Sequence, residues 1–125
     1  MSRTRLYIKP GVNLDGMTVE AVRVIETALH VWAIFGHLRL TITSGTEGQH
    51  TAANSGHTVD FQGDEYYGFA LDLRTRDLPG GSGGDECRKI AEALRSSLGP
   101  GYDVVIESNH IHVEFDRRSF RGGTP

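Results

Sequence analysis

The stretch "YDVVIESNHIHVEFD" (Tyr102–Asp116) decides how this chain is read. Two runs rich in β-branched and aromatic residues, "YDVVIE" and "HIHVEFD", flank Ser108-Asn109, which predicts two antiparallel strands joined by a tight turn. Side chains alternate along a strand, so Ile111, Val113 and Phe115 share one face while His110, His112 and Glu114 share the other. The apolar face calls for a core behind the hairpin. The polar face carries two imidazoles about 6.5–7 Å apart at the backbone, close enough to serve one small centre. Glu107 is out of phase with them by strand counting, but it precedes the turn, where the alternation can reset. A His-x-His pair is also what a polar edge strand carries, and the hairpin by itself does not separate the two readings.

A metal ion needs deprotonated donors converging from separate segments, and catalytic zinc takes three from His, Asp and Glu with one position left open. "FALDL" (Phe69–Leu73) supplies the second segment. Asp72 shares its parity with Gly68 and Ala70 and opposes Phe69, Leu71 and Leu73, so the apolar side packs and Asp72 faces the cleft. A solvated carboxylate on an amphipathic strand is the alternative for Asp72.

Around these two segments the pattern is α+β. "RLYIK" (Arg5–Lys9) alternates and ends at Pro10-Gly11. Thr18 caps a helix running to about Phe35, with Val22, Ile25, Leu29 and Trp32 on one side and Gly36 as its stop. "LRLTIT" (Leu38–Thr43) alternates as a strand. A helix is predicted over Asp85–Leu98 with Cys87, Ile90 and Leu94 inward, entered through a flexible "LPGGSGG" turn and ended by Gly-Pro-Gly. Residues 45–65 read as an irregular segment carrying His50 and His57, long enough to suggest a functional surface. Two helices on one face of a small, mainly antiparallel sheet leave the other face for a cleft.

The chain has 125 residues, a formal charge of −3 and a single cysteine, which fits one domain over 1–125 with a loosely held tail from about 117. No basic block supports nucleic-acid binding, no long apolar run supports a membrane span, and no basic leader with an apolar run supports a signal peptide. Cys87 cannot form an internal disulfide and reads as a buried spectator thiol.

The assembled motifs resemble the zinc D,D-carboxypeptidases and endolysin-like peptidases that cut peptidoglycan stem peptides, a family sharing its fold with the Hedgehog signalling domain. That family shows Ser-x-His-x-x-Gly-x-Ala-x-Asp and, much later, a His-x-His or Glu-x-x-His segment. The matches here are Gly68-Phe69-Ala70-Leu71-Asp72 and His110-Ile111-His112, with Thr43-Ser44-Gly45 as the opening landmark, over Leu38 to Asp116. One departure stands out. The family's histidine falls on Glu65 and its serine on Gly63, whereas removing "TVDFQGDE" leaves "SGHYYGFALD" and restores both from Ser55 and His57. Either an insertion has displaced His57, the reading preferred here, or Glu65 has taken its place.

The resemblance implies zinc held by His57, Asp72 and His112, with His110 meeting charge on the carbonyl oxygen and Glu107 as general base. It implies hydrolysis of an amide in peptidoglycan stem or cross-bridge peptides by a monomer. Such an enzyme would accumulate in the cytoplasm without a signal peptide, as phage lysis enzymes do, and reach the wall after release or assisted export. The alternative is an inactive wall-peptide-binding or structural domain of the same fold.

Overall fold

The computed structural model describes residues 3–45 and 69–115. Among these residues, five strands and two α-helices form an α+β fold: β1 (Arg5–Ile8), α1 (Val19–Ile34), β2 (Arg39–Ser44), β3 (Phe69–Arg74), α2 (Asp85–Leu98), β4 (Tyr102–Ile106) and β5 (His110–Phe115). The sheet order is β1-β2-β3-β5-β4. Every neighbouring pair is antiparallel except β1–β2, which is parallel and linked through α1, because parallel neighbours need a crossover. Both helices pack on one face, as the sequence implies.

That inner face is apolar throughout. Leu40 and Ile42 of β2, Leu73 of β3, and Ile111 and Val113 of β5 are all 0% exposed, and they meet Val24, Ala28, Trp32, Ile90 and Leu94 from the helices. Each such aliphatic side chain contributes about 1.5–3 kcal/mol by leaving water.

The start of α1 is fixed locally: Thr18 is extended, and its Oγ1 accepts from the Ala21 amide at 3.2 Å. Its buried stripe differs from the expected one. Ala21, Val24, Ile25, Ala28, Val31 and Trp32 are buried, Leu29 is half-buried, and Val22 is 41% exposed. Ile25, Trp32 and the half-buried Leu29 lie on the expected side, and only Val22 falls outside a stripe completed by Ala21, Val24, Ala28 and Val31. Similarly, β2 does not alternate in burial, since Thr41 is buried between Leu40 and Ile42.

The helix α2 has the expected bounds, with Asp85 and Glu86 in its first turn and Arg95 in its last, each complementing the helix dipole. Arg95 also donates to the Val104 carbonyl at 2.8 Å, and Arg23 of α1 to that of Ser97 at 2.9 Å, so three elements are tied by guanidinium bonds. The turn before α2 is packed rather than loose. Leu78 is buried, the Thr75 and Ser82 hydroxyls are 2.7 Å apart, and one turn of 3-10 helix spans Gly81–Gly83. A Cβ on Gly84 would sit 2.1 Å from the Pro79 carbonyl oxygen, so this close approach requires glycine. Cys87 is fully buried, and burial pushes its thiol pKa up, consistent with an inert side chain.

Candidate metal centre

The centre is built on the outer face of β3 and β5. Their register pairs Asp72 with His112, Arg74 with His110 and Ala70 with Glu114. Cross-strand partners point to the same side, so Asp72 stands beside both histidines while Leu71, Leu73, Ile111 and Val113 occupy the inner face. The expected parity of both strands is thereby met.

The β4–β5 turn determines a further neighbour. Ile106 pairs with Ile111, and the Glu107 amide donates to the His110 carbonyl at 2.8 Å. Continuing that register sets Glu107 opposite His110 on the outer face. A two-residue connection makes odd positions of β4 share a face with even positions of β5, so no resetting of the alternation is needed. Glu107 itself is exposed. Neither Ser108 nor Asn109 has a positive φ, so the turn is tight without being of the Asn-Gly kind.

His112 lies between two carboxylates. Its Nδ1 is 2.9 Å from Asp72 Oδ1 and its Nε2 is 2.9 Å from Glu114 Oε1. Both ring nitrogens donate, which makes the ring an imidazolium. The Asp72 hydrogen bond, followed by that of Glu114, raises its pKa from 6.5 to about 9 against the opposing effect of burial. Glu114 is only 9% exposed, and this contact with His112 is what accounts for a carboxylate so deeply set. The sequence placed Glu114 on the correct face without giving it a role.

His110 is set differently. Its Nδ1 lies 2.7 Å from Asn109 Oδ1, an atom that can only accept, so Nδ1 carries the proton. Its Nε2 faces Asp72 Oδ2 at 3.6 Å. That separation is too long for a good hydrogen bond and close to that of two ligands sharing one ion. Donors at about 2.0–2.2 Å around a tetrahedral ion are roughly 3.4 Å apart. Asp72, His110 and His112 each offer an atom, and all of these atoms lie within 4.8 Å of one another. The residues present therefore fit a metal ion. Nδ1 of His112 is on the Asp72 side, leaving Nε2–H on Glu114 in the carboxylate–histidine arrangement that orients metal ligands.

The segment Thr43–Gly45 meets Asp72 from β2. Thr43 Oγ1 donates to the Asp72 carbonyl at 3.4 Å, and Ser44 pairs with Asp72 across an irregularity in the β2–β3 ladder. Gly45 follows where a Cβ would sit 2.4 Å from the Asn13 carbonyl oxygen. Of the residues expected at the site, Asp72, His110, His112 and Glu107 are on this face. His57 and its competitor Glu65 lie outside the described residues, as does His50.

No family model, curated protein or solved structure matches this chain.

Proposed function

We propose that the chain is a zinc-dependent amide hydrolase, and that its substrate is a peptidoglycan stem or cross-bridge peptide. The observation carrying the metal reading is the convergence of Asp72, His110 and His112 donor atoms within 4.8 Å on two paired strands. The substrate class rests on the motif resemblance, from Gly68-Phe69-Ala70-Leu71-Asp72 to His110-Ile111-His112.

Asp72 and His112 are common to both versions of the ligand set. Among the described residues His110 offers the third donor atom, and the motif gives His57. A carboxylate with two imidazoles is a donor set that catalytic zinc takes. When bound, the ion would supply Lewis acidity toward a carbonyl and acidify a water. The chain's own residues do the rest. Glu107, exposed beside His110, takes the proton from the attacking water and returns it to the departing amine nitrogen. Glu114 holds the His112 ring by its Nε2–H, and Asn109 engages Nδ1 of His110, which turns its Nε2 toward Asp72. If His57 completes the ligand set, His110 is instead a donor to the carbonyl oxygen.

The test is zinc stoichiometry together with hydrolysis of purified stem peptides. Asp72→Asn and His112→Ala are expected to abolish both. Loss of zinc in His110→Ala but not His57→Ala would select the geometric set, and the converse the motif set. Zinc loss in Glu65→Ala would instead make Glu65 the ligand and reject the insertion. Stoichiometric zinc with no turnover of any wall peptide would overturn the enzyme reading and leave a metal-bearing binding domain. Wild-type protein that takes up no zinc would overturn the centre itself.

A further inference from the structure

The β1 edge of the sheet carries a second concentration of chemistry, of opposite sign. Arg3, Arg5, Tyr7, Leu38 and Arg39 line an open pocket of about 440 Å³, within the size range of small-molecule sites. The β1–β2 register sets Arg5 directly opposite Arg39. Like charges in that relation repel, and a protein of net charge −3 has carboxylates enough to have neutralised one of them. Among the described residues no carboxylate pairs with Arg3, Arg5 or Arg39, although Arg23, Arg88 and Arg95 all find oxygen partners.

Arg39 is further organised by stacking. Its guanidinium carbon lies 4.0 Å from the centre of the Tyr7 ring. Stacking leaves the in-plane N–H groups free while restraining the plane, which lowers the entropy lost when an anion is bound. Leu38, 71% exposed, adds an apolar wall.

Arg5, Tyr7 and Arg39 share the outer face with Asp72, because Leu6 and Ile8 pair with the inward Leu40 and Ile42. Arg39 is five residues along β2 from Ser44, the partner of Asp72, so the two sites are roughly 17 Å apart by strand geometry. That is too far for these guanidiniums to act on the metal centre.

We propose that this pocket is a binding site for a phosphoryl-bearing ligand. Three guanidiniums bring more N–H donors than the roughly four acceptor sites of one planar carboxylate can take. A phosphate group, and more so two linked ones, offers oxygens in several directions and enough charge to offset the Arg5–Arg39 repulsion. The same chemistry is available from a free phosphorylated compound or from a phospholipid headgroup.

The test uses inorganic pyrophosphate, citrate, and vesicles of phosphatidylcholine with and without phosphatidic acid, titrated against the full chain in phosphate-free buffer. Pyrophosphate is expected to bind with an affinity that falls as salt rises. Arg5→Gln and Arg39→Gln should each weaken it about tenfold, and Tyr7→Leu by a smaller factor. All three positions are exposed, and an unchanged melting temperature will show that each variant is folded. Binding to phosphatidic acid vesicles without binding to pyrophosphate would support the phosphoryl chemistry and assign its source to a headgroup. Equal affinity in wild type and both arginine variants would overturn the site, as would no binding to pyrophosphate or vesicles. Citrate binding as tightly as pyrophosphate would overturn the phosphoryl assignment.

Discussion

The two faces of this sheet are made by the same strands and obey different rules. On the inner face, neighbours such as Leu73 and Ile111 are interchangeable in kind, because burial asks only for apolar volume that fills the space under α1 and α2. On the outer face, Asp72, His110, His112 and Glu114 are not interchangeable at all. Each is held by a specific partner atom, so the group as a whole is organised by charge and hydrogen bonding. Adjacent residues of β5 therefore answer to packing and to electrostatics in turn.

Substitutions one residue apart should expose this difference. Ile111→Ala is expected to cost about 2–5 kcal/mol in urea denaturation while leaving zinc stoichiometry unchanged in the folded protein. Asp72→Asn should do the reverse, removing the ion while sparing the core. If Ile111→Ala also lost zinc from folded protein, the faces would not be separable as described.

The next largest effect is electrostatic. In chelator-treated protein, His112 is pushed up to about 9 from 6.5. A raised histidine stabilises fully below its unfolded value and loses that contribution as pH climbs through the folded one. Metal-free stability should therefore fall by about 3 kcal/mol between about pH 6 and about pH 9.5, apart from other titrations. Denaturation curves across that range check it, and NMR titration of Asp72→Asn should find His112 closer to its ordinary value. Since a metal must displace that proton, apparent zinc affinity should rise by up to about tenfold per pH unit between about pH 7 and about pH 9.

A smaller effect belongs to neither face. Thr18→Ala removes the hydroxyl that accepts from Ala21 and should cost about 1 kcal/mol, read as a lowered urea midpoint. Smallest of all, Arg88→Ala breaks exposed ion pairs with Asp85 and Glu92 and should leave the melting temperature unmoved.

Much of the fold was legible because local chemistry decides it. The bounds of α2, the Thr18 cap and the alternation of β5 follow from periodicity and capping, which involve only residues near in sequence. Errors arose where a partner distant in sequence sets the outcome. Val22 looked as apolar as Val24, yet the sheet covers only one of them. The "LPGGSGG" turn read as loose because the hydrogen bond between Thr75 and Ser82 and the packing of Leu78 need the whole fold around them. At the centre, residue types marked Asp72, His110 and His112 as chemically able, and parity gave their face. Glu114 was passed over because a carboxylate's burial has no signature in residue spacing.

Sequence by itself determined which residues could bury and which could bind, since side-chain chemistry and period-two geometry are properties of the chain. Tertiary structure alone decided that Asp72 lies across from His112 and that Arg5 faces Arg39. Those are matters of strand register, which is selected by the packing of the inner face. The core thus sets the distances at which the outer face can do chemistry.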